Sequence, residues 1–243
     1  MTGDDLSHLD AYHTLGSDPV PRVVVEMAAG RQADLVWRNE LGGLTFRIDD
    51  GFLKWNPRGN GIDLERERAR LGWISDRHPA PRVLAAGSDD EAQWLLTAAL
   101  PGDCAVDDTW RARRPEAIRA IASGLQALHA IPVDDFPDAW ASDTWVGRTP
   151  DSLGPRPTVD QLVVVHGDAC APNTLISANG SWVGNVDFGD LAVGDRWADL
   201  AIASLSLDWN FGEGHQHELF EAYGIEADVT RIRYYRALWE LES

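Results

Sequence analysis

The sequence predicts an α+β protein in two parts, a small β-rich N-terminal lobe followed by a mainly helical C-terminal lobe. Three observations predict it. Between Val23 and Ala98, short runs of β-branched and aromatic residues alternate with Gly- and Asp-rich turn signals. Beyond Pro115 the apolar residues recur at helical spacing. Between the two stretches, Leu100-Pro101-Gly102 reads as a hinge. A chain of 243 residues can bury a full core, which suits one large domain or two lobes sharing a cleft. The boundary is expected near residue 100, giving lobes over residues 1–100 and 101–243.

Residues 1 to about 20 are polar and lack periodicity, so they read as a weakly ordered lead-in. Strands are expected over Val23–Met27, Ala33–Asn39, Leu44–Asp49 and Phe52–Trp55. The turns between them are Ala29-Gly30, Leu41-Gly42-Gly43 and Asp50-Gly51, the last preceded by Asp49 in a good hairpin signal. Asp63 is a candidate N-cap for a helix over Leu64–Ser75, on which Glu67, Leu71 and Ile74 share a face. Arg82–Ala86 and Gln93–Ala98 read as a further strand pair. Pro115 suits the first turn of a helix carrying Ile118, Ile121, Ala122, Leu125 and Leu128, closed by Pro132. Residues 133–160 are rich in Asp and Pro and read mostly as loop. Strands follow at Leu162–Val165 and Trp182–Val186, then helices at Trp197–Leu207, Gln216–Tyr223 and Val229–Leu241, the last capped by Asp228.

Composition narrows the function. The net charge of -18, from 39 acids against 21 bases, argues against nucleic acid, whose phosphates need a basic footprint. It attracts cationic partners at long range, and it also serves solubility. No apolar run approaches the roughly 18 residues of a membrane span, so no membrane partner is expected. Two cysteines, Cys104 and Cys170, are too few for a disulfide framework, and a cytoplasmic location is the expectation. The 21 bases include a single lysine, Lys54. In a chain that otherwise uses arginine, that lysine is either a chance remainder or the mark of a site needing a compact ammonium that a forked guanidinium cannot replace.

The chemistry concentrates between Val163 and Leu200. His166-Gly167-Asp168 is followed five residues later by Asn173, and then by Asp187-Phe188-Gly189. Protein kinases use H-R-D-L-x-x-x-N followed by D-F-G in the same order. Phosphoryl transfer needs positioning and charge neutralisation, hence a placed base, hard oxygen ligands for Mg²⁺ and a cation for phosphate. Asp168 is the candidate catalytic base, and Asn173 and Asp187 are the candidate metal ligands. Lys54, on the last strand of the meander, is the candidate phosphate contact. Glu67 points inward with Leu71 and Ile74 and is its expected partner; Glu65 is the competitor. His166 is expected to order the loop, and Asp199 to anchor it through backbone hydrogen bonds. His215 and His217 read as surface residues, and nothing marks Cys170 as activated.

At these residues the chain resembles the aminoglycoside O-phosphotransferases, particularly the 3′-phosphotransferase type. The resemblance rests on HGDACAPNTLI, VDFGDLAVGDRWADLA and the terminal IRYYRALWELES, and extends to GFLKWNP, DLERERARLGWIS, PAPRVL and LLTAALPG. It covers about Leu35 to the C-terminus and implies a protein-kinase-like two-lobed fold. It also implies ATP or GTP with Mg²⁺, and a polycationic aminosugar whose hydroxyl accepts the γ-phosphoryl group. Matched by motif, Ala98 and Leu100 would present backbone groups to the adenine ring. Asp168 and Glu240 would face the substrate, with Asp208 standing beside positions where the family pattern has acids. The family's terminal carboxylate would fall at Ser243. A monomer or weak dimer is expected.

The chain departs from the family in three places. The turn Glu40-Leu41-Gly42-Gly43 lacks the Ser or Thr often found near the phosphates. Residues 133–160 are shorter than the family's helical insertion. Trp209 and Asn210 stand where acids are usual. The nucleotide chemistry is therefore expected intact and the substrate pocket remodelled. The alternatives are a kinase for another hydroxylated metabolite, such as a sugar or amino alcohol, and a catalytically silent nucleotide-binding module.

Overall fold

A computed structural model describes residues 20–140 and 143–242. The expected lead-in therefore lies almost wholly outside the described residues. The chain divides into two compact units. One runs to Gly72 and includes Pro81–Ala99; the other comprises Trp73–Ala80 and everything from Leu100 onward.

The first unit is a five-stranded antiparallel sheet with helices. Strands β1 (Asp34–Arg38), β2 (Leu44–Ile48), β3 (Gly51–Pro57), β4 (Val83–Ser88) and β5 (Ala92–Ala98) lie in the order β1-β2-β3-β5-β4. β3 is central. Its register sets Lys54 opposite Thr45 on β2 and Leu95 on β5. Alternation along β3 buries Leu53 on one face and turns Lys54 to the other. Asp49 adopts φ 49 in the two-residue turn that joins Ile48 to its partner Gly51. Helix α2 (Leu64–Ile74) starts at Asp63, whose Oδ1 accepts the Glu65 and Arg66 N–H groups at 3.0 and 3.1 Å.

One expected strand is a helix. Val23–Met27 lies within α1 (Arg22–Ala28). Three consecutive valines favour a strand by propensity, but tertiary burial overrides it. Val24 and Ala28, four apart, are buried against Leu44, Phe46, Ile48 and Leu53 of the sheet. Ala29, left-handed at φ 50, then ends the helix by donating its N–H to the Val25 and Glu26 carbonyls.

The second unit is mainly helical. Helix α4 (Arg114–His129), with its proline in the first turn, runs through a core shared with α5 (Trp197–Phe211), α6 (Gln216–Tyr223) and α7 (Val229–Glu242). The short α3 (Asp108–Ala112) precedes α4. Gly224 stops α6 at φ 81, and Asp228 Oδ1 caps α7 by accepting the Arg231 N–H at 3.0 Å. Two small sheets carry the loops that matter. β7 (Leu162–Val165) pairs antiparallel with β10 (Ala192–Asp195). β8 (Thr174–Ile176) pairs with β9 (Trp182–Asn185) and with β6 (Asp103–Cys104). The segment before β7 is loop with isolated 3-10 turns, such as Trp145–Gly147.

Candidate active site

β7 ends at Val165, and the chain turns at once into His166-Gly167-Asp168. The turn depends on Gly167, which sits at φ +81 with its Cα 's vacant side against Asp190. A Cβ there would lie 2.1 Å from the Asp190 carbonyl oxygen, so no other residue fits. Asp199, at the start of α5 and wholly buried, holds the turn from below. Its Oδ2 accepts the His166 N–H at 2.7 Å and its Oδ1 accepts the Gly167 N–H at 3.0 Å. This is the anchoring role read from the sequence.

His166 orders the loop from the other side. Its Nδ1 accepts the Asp168 N–H at 3.3 Å, which leaves Nε2 to donate to the Val186 carbonyl at 2.9 Å. The ring also packs on Phe188, centroid to centroid 4.7 Å. One imidazole thus ties Val186, the residue before Asp187, to Asp168.

The three acid and amide side chains come together here. Asn173 Nδ2 donates to both the carbonyl and Oδ2 of Asp168, each at 2.9 Å. Burial, and then the Asp187 carboxylate, raise the Asp168 carboxyl above the usual aspartate range. Asp187 itself has φ 66, a left-handed conformation uncommon for a residue with a side chain. Cys170 is no nucleophile, since burial and the Asp168 carboxylate push its thiol well up.

These groups fit a Mg²⁺ ion. Asn173 commits its amide nitrogen to Asp168, which leaves the oxygen of the same amide as a hard donor. The Asp187 carboxylate, which raises Asp168, would have its charge offset by a bound cation. Among the described residues no three His, Cys, Asp or Glu gather into a metal cage. The Asp187 carboxylate and the Asn173 amide oxygen suit Mg²⁺, which keeps water and phosphate oxygens in its remaining positions.

In the first unit, Lys54 Nζ meets both carboxylate oxygens of Glu67, at 2.8 and 2.9 Å. The Glu67 side chain is only 6% exposed. Glu65, the competitor, instead pairs with Arg68 on the exposed side of α2. The turn between β1 and β2 is occupied from within: Asn39 Oδ1 accepts the Leu41 and Gly43 N–H groups at 3.0 and 2.7 Å. Asn60 Nδ2 donates to the Leu41 carbonyl at 2.9 Å. Ala98 closes β5, and its N–H goes to the Arg82 carbonyl at 2.9 Å, so only its carbonyl could serve a base edge. Leu100 opens the main stretch of the second unit.

The expected substrate residues lie on α5 and α7. Asp208 Oδ2 accepts from Gln216 Nε2 at 2.7 Å, and its Oδ1 is buried. Glu240 is exposed. Ser243 lies outside the described residues. His217 is exposed, as read, and bonds the Gly214 carbonyl, whereas the His215 side chain is only 19% exposed and pairs with Glu218.

Several supporting residues escaped the sequence reading. His129 Nε2 lies 3.0 Å from Asp199 Oδ2, and its Nδ1 lies 2.8 Å from the Tyr223 hydroxyl. Trp145, from the loop before β7, donates its indole N–H to the Gly167 carbonyl at 2.6 Å. Ser206 Oγ accepts the Ala171 N–H at 2.9 Å. Asn185 Nδ2 donates to the Asn173 carbonyl at 3.2 Å, while its Oδ1 meets His78 Nε2 and Trp182 Nε1, each at 3.0 Å. Burial pushes His78 down to about 4.

A base loop clamped by a buried aspartate, an Asp-Phe-Gly turn beside it and a lysine–glutamate pair on an antiparallel sheet are the equipment of phosphoryl transfer, and they define a protein-kinase-like phosphotransferase. The model of one family, the phosphotransferase enzyme family APH, matches residues 25–156 and 152–238, and the chain belongs to that family. An aminoglycoside 3′-phosphotransferase of Streptomyces fradiae is 34% identical over 220 residues, covering 76% of this chain and 81% of that protein. Among solved structures, aminoglycoside phosphotransferase APH(3″)-Id of Streptomyces rimosus aligns with a TM-score of 0.67 at 26% identity, over 89% of this chain and 95% of that one. The same protein in complex with ADP and streptomycin aligns with a TM-score of 0.68 at 24% identity, with the same coverage, which speaks to the fold.

Proposed function

We propose that this enzyme moves the γ-phosphoryl group of ATP or GTP to a hydroxyl of an aminoglycoside-type cationic aminosugar. The observation that carries it is the Asp168–Asn173 pair beside Asp187, on a loop fixed by Asp199. The 34% identity to the S. fradiae enzyme supports the acceptor class, as does the net charge of -18.

Asn173 holds Asp168 Oδ2, and Oδ1 is the oxygen proposed to meet an acceptor. The acceptor hydroxyl gives its proton to that oxygen as its own oxygen bonds to the γ-phosphorus. The bond from γ-phosphorus to the bridging oxygen breaks, and the nucleoside diphosphate leaves. A carboxyl raised by burial accepts that proton more readily than an ordinary aspartate. Asn173 and Asp187 would hold Mg²⁺, which when bound neutralises phosphate charge. Lys54, oriented by Glu67, contacts the α- and β-phosphates. With the Leu41 and Gly43 N–H groups taken by Asn39, phosphate recognition in the first unit rests chiefly on Lys54. The Ala98 carbonyl and the Leu100 N–H receive the adenine edge. Glu240 faces the substrate amines, and Asp208 supports that wall through Gln216. Two free cysteines suit a reducing cytoplasm, where the enzyme acts as a monomer or weak dimer.

The test is ADP release with Mg-ATP and a panel of aminoglycosides, amino alcohols and neutral sugars, using wild type and Asp168→Asn. The variant should bind Mg-ATP nearly as wild type does, and turn over about 10²- to 10⁴-fold more slowly. Undiminished turnover removes Asp168 from its role. Activity on a small metabolite with none on any aminoglycoside favours the metabolite kinase instead.

A further inference from the structure

Trp209 and Trp239 stand out in the second unit. Trp209, near the end of α5, is 44% exposed, and Trp239 on α7 is half-buried. Their ring centroids are 5.7 Å apart, with an interplanar angle of 41°. A single exposed indole would mean little. The position of this pair gives it meaning.

Ser206 touches the catalytic loop through the Ala171 N–H, three residues beyond Asp168. Asn210 Nδ2 donates to the same hydroxyl at 3.1 Å. Residues 209 and 210 therefore lie one helical turn, about 5.4 Å, along α5 from a group bonded to that loop. An acceptor with one hydroxyl at Asp168 and a further ring reaches that far.

Acids flank the pair in the chain, Asp208 before Trp209 and Glu240 after Trp239. Arg236 lies within the fields of Asp208 and Glu240, which oppose the lowering that burial imposes on its guanidinium. It is already engaged, donating to Ser204 Oγ at 2.9 Å and Gln216 Oε1 at 3.0 Å. Asp208 is engaged as well, through Gln216. Of these two carboxylates Glu240, which follows Trp239 in the chain, is the exposed one. Indole faces attract cations more strongly than other aromatic rings do, and most strongly where water is partly excluded.

We propose that Trp209 and Trp239 form an aromatic seat for an ammonium-bearing ring of the acceptor, with Glu240 as its counter-charge. The inference rests on the aminosugar reading above and sharpens it. In this chain, cation recognition is shared between π-faces and a carboxylate, where a pocket of acids alone would rely on charge.

The experiment uses the full chain with kanamycin as the probe and maltose as the uncharged control. Steady-state kinetics and calorimetric binding are measured for wild type, Trp209→Ala and Trp209→Phe, after circular dichroism shows that the variants are folded. Trp209→Ala should raise KM for kanamycin roughly 2- to 30-fold, with kcat falling less than about threefold and KM for ATP unmoved. Trp209→Phe should recover most of the loss. An unmoved kanamycin KM in Trp209→Ala overturns the seat and leaves the aminosugar kinase standing. Kanamycin binding that is lost in Trp209→Ala, in an enzyme that phosphorylates no aminosugar, keeps the seat and overturns the kinase reading. Absence of kanamycin binding by wild type overturns the seat, and ADP release with another acceptor then reads the kinase separately.

Discussion

Replacing Asp199 by asparagine removes little volume but cannot satisfy what surrounds it. In the native protein Oδ2 faces two donors, the His166 N–H and His129 Nε2, and Oδ1 faces the Gly167 N–H. An asparagine with its NH₂ in the Oδ2 place can be accommodated by His129, which shifts its proton to the other ring nitrogen, but the His166 N–H then meets a donor. With the NH₂ in the Oδ1 place, the Gly167 N–H does. Either way one buried backbone N–H is left unsatisfied, at about 1–3 kcal/mol. The remaining hydrogen bonds lose their charge assistance, about 1 kcal/mol each. The sum is about 3–5 kcal/mol, which in a chain of this size corresponds to a Tm lower by about 10 °C. Because the same contacts place Asp168, turnover should also fall about 10- to 100-fold, and more than the affinity for ATP changes. Thermal unfolding followed by circular dichroism, together with coupled ADP release, reads both effects. A variant melting within about 2 °C of wild type would refute this account of how the loop is held.

Lys54→Arg retains a cation opposite Glu67 but replaces a point charge by a broad fork. It should melt close to wild type while losing about tenfold or more in kcat/KM for ATP; equal activity would make the lone lysine a coincidence of composition. The His78 imidazole, held down to about 4, gives a pH dependence of defined sign. The unfolded chain takes up a proton near 6.5 that the native state refuses, so stability from the neutral ring is complete above that pH and is lost as pH falls toward 4. Urea unfolding should show His78→Gln losing about 2 kcal/mol less than wild type between pH 7 and pH 5, and parallel losses would disprove the assignment.

The sequence was legible where chemistry depends on local spacing. Asp168, Asn173 and Asp187 could be proposed from their order, and the β-meander from its turns, because each involves neighbours in the chain. The valine run at Val23–Val25 misled because its fate is decided by a sheet whose residues come later. Two- to four-residue strands such as β6, β8 and β10 carry too few side chains for a period to show. The partners of the loop beyond His166 and Asp199 were illegible for a related reason. His129 and Asp199 are 70 residues apart, and Trp145 and Gly167 are 22 apart, with no spacing rule linking them. Trp145 lies in a segment read only as loop, and an indole with a polar handle amid Asp and Pro was the one available hint.

The solitary lysine has a practical consequence. In 243 residues, chemistry aimed at side-chain amines has a single target, and that target is engaged with a buried carboxylate on the strand at the centre of the sheet. An acylating or reductive-alkylating reagent therefore has at most one internal side chain to tag per molecule. The fraction tagged becomes a direct count of protein in which Nζ is accessible. On the proposed contact of Lys54 with the nucleotide phosphates, titrating nucleotide against that fraction should read occupancy in the unmodified sequence, without mutation, radiolabel or any knowledge of the acceptor.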